Sequence, residues 1–209
     1  MLTTLTRAAE ALLTTLTMDQ ARMALAPLDP AAIGDWHYVP RARPGLPLKA
    51  LDAPQRRLLW RLVDLSLSES GAMRARAILA LEAILGEIEG RPAFRDPESY
   101  HFRCFGRPSV EALWGWRFEG HHLSLTFMLD PERGVLPTPI FMGANRETVP
   151  PPHPRAGLRT LPDAADVDIY WGLHFALAMA HQTIRDSERL NKLSEGACDL
   201  GDVEGADDG

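Results

Sequence analysis

The sequence predicts an α+β fold in which N-terminal helices precede a central antiparallel sheet and a C-terminal helix packs on that sheet. Three observations support this class. Apolar residues recur at helical spacing up to Gly90, apolar and polar residues alternate from Phe94 onward, and helical spacing returns after Asp163. With 209 residues and a hydrophobic content of 45%, the chain can bury one sizeable core. We therefore expect a single domain over residues 1–193.

The first helices are predicted from their caps. Residues 2–25 carry leucines at helical spacing, and the Thr17–Gln20 segment has the form of a capping box that starts a second helix. Asp52, followed three residues later by Gln55, predicts the start of another helix, and Gly90 predicts the end of the helix after it. We expect these last two helices to pair as a helical hairpin. The residues predicted to face inward on the later helix are Met73, Ala77, Leu81, Ile84, Leu85 and Ile88.

Two segments have compositions that disfavour regular structure. Residues 26–51 are predicted to form an ordered arm, because prolines exclude helix over most of the segment while Trp36 and Tyr38 need a surface to pack on. Residues 194–209 are acidic and glycine-rich, so they bury too little apolar surface to offset their ordering entropy, and we expect a disordered tail. The last helix is expected just before that tail, over residues 163–193.

Alternation of apolar and polar residues predicts the strands. In "SYHFRCFG", Tyr100, Phe102 and Cys104 fall on one face. The segment "LWGWRFEGHHLSLTFML" continues the alternating pattern through two adjacent histidines. The segment "VLPTPIFMG" is a short strand that its prolines confine to an edge or an end of the sheet.

Charge and composition exclude several classes of partner. The formal net charge of -6 gives no basic field for nonspecific nucleic-acid binding. No run of about eighteen apolar residues exists, so no membrane span is expected. Two cysteines cannot build a disulfide framework, and the charged N-terminal segment is typical of an amphipathic helix instead of a secretory signal. We expect a cytoplasmic protein that binds neither nucleic acid nor membrane.

The stretch "WGWRFEGHHLSLTF" holds the candidate metal ligands. His121 and His122 can each bind a divalent transition metal through an imidazole nitrogen. In an unbroken strand they point to opposite faces, His121 with Leu123 and His122 with Ser124. Both bind one ion only if the backbone bends, which Gly120 permits. The structural alternative is a histidine hydrogen-bonded inside the core.

Five other residues complete the candidate site. Glu119 is a candidate base or orienting group for an imidazole, and its alternative is a solvent-facing turn residue. Asn145 is a candidate donor to a substrate carbonyl, and its alternative is a turn that its own side chain stabilises. Trp114 and Trp116 share one face and would form the wall of a ligand pocket, unless they simply fill the core. Ser124 is a candidate ligand-binding hydroxyl on the predicted polar face.

The same stretch, followed by "TPIFMGAN" and "RAGLRTL", resembles a bacterial family catalogued as domain of unknown function 3500. The segments "DWHYVPRARPGLPLKAL" and "RDPESYHFRCFG" are also similar to that family's pattern, and the blocks keep the family's order over residues 20–185. The resemblance implies a longer chain whose C-terminal part adds a His-x-His element and an acidic residue. Here the chain ends in "GACDLGDVEGADDG", and it has Thr126 and Arg146–Glu147 where the family tends to have Asn and Pro-Ala.

This departure leaves three expectations. The chain is a short member with a rebuilt metal site, a member that completes its site with a second copy in a homo-oligomer, or a member without activity. A histidine pair joined by a second set of histidine and carboxylate ligands would make a credible site for a divalent transition metal.

Two functions follow as predictions. The first is a metal-dependent enzyme, a hydrolase or an oxidoreductase, that acts on a small molecule through the "GHHLS" stretch. The second is a non-catalytic binding or assembly protein that keeps the family fold without a complete site. The intact histidine stretch favours the enzyme, but no G-x-S-x-G, phosphate-loop, C-x-x-C or H-E-x-x-H motif is present to specify a reaction.

Overall fold

The computed structural model describes residues 1–39, 41–143, 148–149 and 151–157, and these form helices and a mixed sheet of the α+β class. The α-helices are α1 (Leu2–Leu13), α2 (Met18–Ala24), α3 (Pro30–Gly34), α4 (Ala53–Ser66) and α5 (Glu69–Glu89), with a 3₁₀ turn at Leu48–Ala50. The strands are β1 (Leu25–Ala26), β2 (Leu46–Pro47), β3 (His101–Phe105), β4 (Trp114–Gly120), β5 (Leu123–Asp130) and β6 (Gly134–Met142). None of the described helices has the length and apolar composition needed to cross a bilayer. The predicted C-terminal helix and acidic tail lie outside the described residues.

Two capping boxes confirm the predicted helix starts and also bind each other. At α2, the Thr17 hydroxyl accepts from the Gln20 N–H (3.2 Å), and the Gln20 side chain accepts from the Thr17 N–H (2.9 Å). Asp52 and Gln55 repeat this arrangement at α4. The two glutamine amides then exchange a pair of hydrogen bonds of 2.9 Å each, which ties the start of α2 to the start of α4. Gly90 ends α5 in the left-handed conformation, as predicted.

The sheet has the strand order β1-β3-β4-β5-β6, and β2 pairs with β3 as well. All pairings are antiparallel except that of β1 with β3, which is parallel. The central strands β3–β6 are antiparallel, as predicted, and the short parallel pair of β1 with β3 makes the sheet as a whole mixed. The physical reason is that the chain reaches the outer side of β3 twice, once from α2 and once from the arm, in opposite directions. β6 lies at the other edge, which confirms the position predicted from its prolines.

Both faces of the sheet are covered. One face packs on α1 and α4 in the main core, and it carries Tyr100, Phe102 and Cys104 on the single face that was predicted. The other face is closed by the arm through a smaller cluster of Ala26, Ile33, Phe105 and Met128. Helix α4 packs chiefly along α1 and only to a lesser extent on α5. The contact of α4 with α5, which was predicted as a helical hairpin, is therefore smaller than the contact of α4 with α1.

Helix α5 turns most of the residues predicted to face inward toward the core, and Ala77 and Ile88 are partly buried there. Leu81, Ile84 and Leu85 are buried as predicted, but Met73 is 52% exposed. The stripe that faces the protein interior consists of Ala72, Ala75, Ile78, Leu79, Leu81, Glu82, Ile84, Leu85 and Gly86. A carboxylate thus lies in the middle of an otherwise apolar helix face.

A buried arginine fixes the arm on the sheet. Arg117 is 1% exposed, and its guanidinium donates to the hydroxyl of Thr126 (2.8 Å) and to the backbone carbonyls of Asp35 (2.9 Å) and Ile33. Burial lowers the pKa of Arg117 to about 10. These carbonyls lie at the end of α3, where helical carbonyls lack partners within the helix. The arm is thereby held in place, and it presents Tyr38 to the turn between β4 and β5.

Candidate metal centre

His121 and His122 form the two-residue turn of the β4–β5 hairpin. Gly120 pairs with Leu123 across the hairpin, so the two histidines are the residues that leave the ladder. His122 has a φ of 62°, in the left-handed region that non-glycine residues seldom adopt. The expectation that both histidines continue a strand, His121 on the face of Leu123 and His122 on the face of Ser124, is therefore wrong. The bend near Gly120 that would bring both rings together is present.

The turn is held from three sides. The N–H of His122 donates to the carbonyl of Tyr38 (3.0 Å), and its carbonyl accepts from the N–H of Gly143 (2.8 Å). The hydroxyl of Tyr100 donates to the carbonyl of His121 (2.5 Å). The two imidazole rings lie with their centroids 3.7 Å apart. Both side chains are thus oriented by backbone contacts that do not use their ring nitrogens.

Glu82 of α5 completes a cluster with the two histidines. Its Oε1 lies 2.8 Å from Nδ1 of His121, and Glu82 is only 2% exposed. One ligand atom from each of Glu82, His121 and His122 lies within 4.8 Å of the other two. Metal bonds of about 2.0–2.2 Å place neighbouring ligand atoms roughly 3 Å apart, so these atoms lie close to the separation that one shared ion requires.

His122 has the protonation state that a metal ligand requires. Burial, followed by the electrostatic influence of the neighbouring His121 and Arg95, lowers the pKa of His122 to about 3. Its Nε2 is buried and has no hydrogen-bond partner among the described residues. A neutral imidazole with an unused nitrogen offers a lone pair, which is the form in which histidine binds metals.

Arg95 lies against the same cluster. Its Nε and Nη2 donate to the two carboxylate oxygens of Glu89 at 2.9 and 2.6 Å. Its Nη1 contacts the ring of His121, 3.0 Å from Nε2, and lies 3.7 Å from Oε1 of Glu82. A buried carboxylate needs a counter-charge, and Arg95 supplies one.

A family model described as a protein of unknown function (DUF3500) matches residues 1–181. The chain belongs to the DUF3500 family. The resemblance stated from the sequence is thus confirmed, and the match includes every residue of the cluster. Residues 156–207 are also similar to the C-terminal domain of tetracyclin repressor-like proteins, a segment that lies almost entirely outside the described residues. No curated protein and no solved structure matches the chain.

Glu119 of this DUF3500 protein lies among other partners. It is 3% exposed and accepts hydrogen bonds from the N–H of His37 (3.3 Å) and the hydroxyl of Ser124 (3.4 Å), which is itself fully buried. Burial raises the pKa of Glu119. Within the described residues, no hydrogen bond joins Glu119 or Ser124 to His121 or His122. The structure pairs Glu119 with Ser124 under the arm, and their catalytic and ligand-binding roles stay predictions.

The tryptophans lie in the main core. Trp114 and Trp116 are fully buried, and Trp116 stacks on Phe127 with ring centroids 5.0 Å apart. The indole N–H groups of both tryptophans have no hydrogen-bond partner in the described part of the chain. Their ligand-binding role stays a prediction. Asn145, the predicted substrate donor, lies outside the described residues.

Sequence reasoning missed Glu82 and Arg95. For Glu82 a signal exists, because the residue falls three or four positions from Ile78, Leu79 and Leu85 and so interrupts an apolar helical stripe. A carboxylate in such a place must be paired or bind a cation. Arg95 carries no comparable signal, since it follows the helix in an irregular segment.

Proposed function

We propose that this DUF3500 protein binds a divalent transition metal through Glu82, His121 and His122 and uses it in a reaction on a small molecule. The observation that carries the proposal is the convergence of three ligand atoms within 4.8 Å, supplied by a buried helix face and a clamped turn. Two imidazoles and one carboxylate suit zinc, iron or manganese, and three protein ligands leave positions for water or substrate. Such a metal serves either hydrolysis or oxidation.

A cleft beside the cluster supports the small-molecule part of the proposal. It has a volume of about 400 Å³, and Glu82 and His121 are part of its lining. Cavities of roughly 300–1,000 Å³ are typical of small-molecule sites. Arg43 and His101 supply polar groups to this cleft, and Phe94 supplies an apolar surface. A compact organic molecule with an acidic or polar group fits this lining.

Metal titration of purified protein tests the proposal. The metal-depleted chain is titrated with Zn²⁺, Mn²⁺ and Fe²⁺, the last without oxygen, and its thermal unfolding is followed with and without chelator. We expect one equivalent to bind. Glu82→Gln should weaken binding by at least about 10–100-fold, the loss typical when only a supporting partner of a ligand is removed, because it removes a charged ligand itself. Glu87→Gln is the matched control, since Glu87 lies on the same helix with a largely exposed side chain.

A second pair of variants tests the histidine turn. His122→Gln should weaken metal binding, whereas His153→Gln, which alters a histidine paired with the exposed Glu87, should not. Binding of one equivalent that is unchanged in both Glu82→Gln and His122→Gln would contradict the assignment.

The second candidate is a non-catalytic binding or assembly protein. The observation that favours it is the contact of Arg95 with both Glu82 and His121, which compensates the buried carboxylate without a metal. This function predicts no bound metal after purification from metal-supplemented medium and no effect of chelator on unfolding. Measurement of the solution mass adds a further test, because a second copy of the chain can supply a missing ligand only in an oligomer.

A further inference from the structure

Arg95 places a positive charge next to the proposed metal position. This residue is 6% exposed and follows α5 in the chain. Its Nε and Nη2 are fixed by the carboxylate of Glu89, so the remaining nitrogen, Nη1, is directed to His121 and Glu82. A bidentate arginine–carboxylate pair sets the plane of the guanidinium as well as its distance.

The guanidinium and a metal ion compete for the same electron pairs. Nδ1 of His121 donates to Oε1 of Glu82 (2.8 Å), which leaves the lone pair of the neutral ring on Nε2, 3.0 Å from Nη1 of Arg95. That lone pair either accepts a hydrogen bond from Arg95 or coordinates a metal, but not both. A dication bonded to Glu82 and His121 would also lie within a few ångströms of a buried guanidinium, where like charges repel strongly.

Resting on the proposed function, we propose that Arg95 is an internal cation that occupies the metal-free centre and competes with the metal. Because the guanidinium is a rigid plane, metal binding displaces it as a whole from Glu82 and His121, together with the partly exposed Glu89 carboxylate to which Nε and Nη2 donate. Arg95 thus determines metal affinity: it compensates Glu82 when no metal is bound, and it lowers the affinity of the centre for a dication. Glu89 opposes this competition, because it holds the guanidinium back.

Zn²⁺ affinity of the full chain, measured by competition with a chromophoric chelator, tests the inference. Arg95→Gln should bind Zn²⁺ about 10-fold or more tightly than the wild type, a coupling of the usual size for two linked sites. Arg95→Lys retains the charge and should stay closer to the wild type. Arg91→Gln is the matched control, because Arg91 lies on the exposed side of the same segment over Phe94, and it should leave the affinity unchanged.

Glu89→Gln supplies a test in the opposite direction. With the Glu89 charge removed, Arg95 is free to pair fully with Glu82, so Zn²⁺ affinity should fall below that of the wild type. This variant also covers the case in which Arg95→Gln does not fold, since Glu89 is partly exposed.

Two outcomes separate this inference from the proposed function. If the wild type binds one equivalent of Zn²⁺ but Arg95→Gln binds no more tightly, or Glu89→Gln no more weakly, the competition is refuted and the metal centre stands. If neither the wild type nor any folded Arg95 variant binds Zn²⁺, both the metal centre and the competition are refuted.

Discussion

Replacement of Gly120 by alanine tests whether the histidine turn is built on Tyr100. A Cβ at position 120 would lie 2.3, 2.5 and 2.6 Å from three ring atoms of Tyr100. The ring cannot easily yield, because Tyr100 is 1% exposed, packs on Phe118, and holds the carbonyl of His121 through its hydroxyl. Relief of the clash must therefore move either the ring or the turn.

The expected cost combines two contributions. A methyl group forced into a packed core costs about 1–3 kcal/mol, and loss of the hydrogen bond from Tyr100 to His121 costs about 1 kcal/mol more. Gly120→Ala should therefore lower the free energy of unfolding by about 2–4 kcal/mol. Because the turn carries both histidines, the variant should also bind Zn²⁺ more weakly.

Urea unfolding followed by tryptophan fluorescence measures the first effect. Gly134→Ala is the control: its Cβ would meet nothing within 4 Å, so only its φ of 84° opposes the substitution, at a cost of about 1–2 kcal/mol. In a Tyr100→Leu background, Gly120→Ala should become milder by at least about 1 kcal/mol, since the clash is removed. The reasoning fails if Gly120→Ala costs no more than Gly134→Ala, or if the two substitutions at 100 and 120 are additive.

Three further predictions concern stability and thiol chemistry. Burial lowers the pKa of His101 to about 4 from 6.5. The unfolded chain therefore binds the proton more readily, and the free energy of unfolding should fall as the pH drops from 6.5 to 4. In His101→Gln this fall, measured by urea unfolding, should be smaller by about 1–2 kcal/mol after allowance for solvent screening. Burial raises the pKa of Cys104 to about 12, and in a Cys198→Ser background its alkylation should proceed only at the rate of opening seen by hydrogen exchange; rapid labelling of the native protein would contradict this. Gln20→Leu and Gln55→Leu should each destabilise the fold, and a double-mutant cycle should give a coupling of about 0.5–1.5 kcal/mol, whereas strict additivity would show that the paired amides contribute nothing.

Local chemistry explains which parts of the fold the sequence could predict. The starts of α2 and α4 depend on residues three positions apart, Thr17 with Gln20 and Asp52 with Gln55. Each capping box can therefore be recognised from a four-residue stretch of sequence. The face shared by Tyr100, Phe102 and Cys104 follows from the two-residue repeat of a strand, and the family is recognisable from the order of its blocks.

The candidate site depended on information that the sequence does not display. Alternation suits a continuous strand as well as a hairpin, and only the pairing of Gly120 with Leu123 makes His121 and His122 a turn. In a continuous strand the two side chains would point to opposite faces, whereas in the turn they are neighbours. The sequence thus identified the histidine stretch as a candidate, but it did not give the geometry of that stretch.

By itself, the sequence determined the helix caps, the alternating strands and the family, because each of these depends on residues close together in the chain or on their order. Only the tertiary structure decided that Glu82, 39 residues before His121, is the third member of the cluster and that Arg95 lies against both. The physical reason is that a buried carboxylate acquires its partners from whichever elements pack over it. Here the packing of α5 against the β4–β5 turn brings His121 and His122 to Glu82, and Arg95 lies against the same cluster.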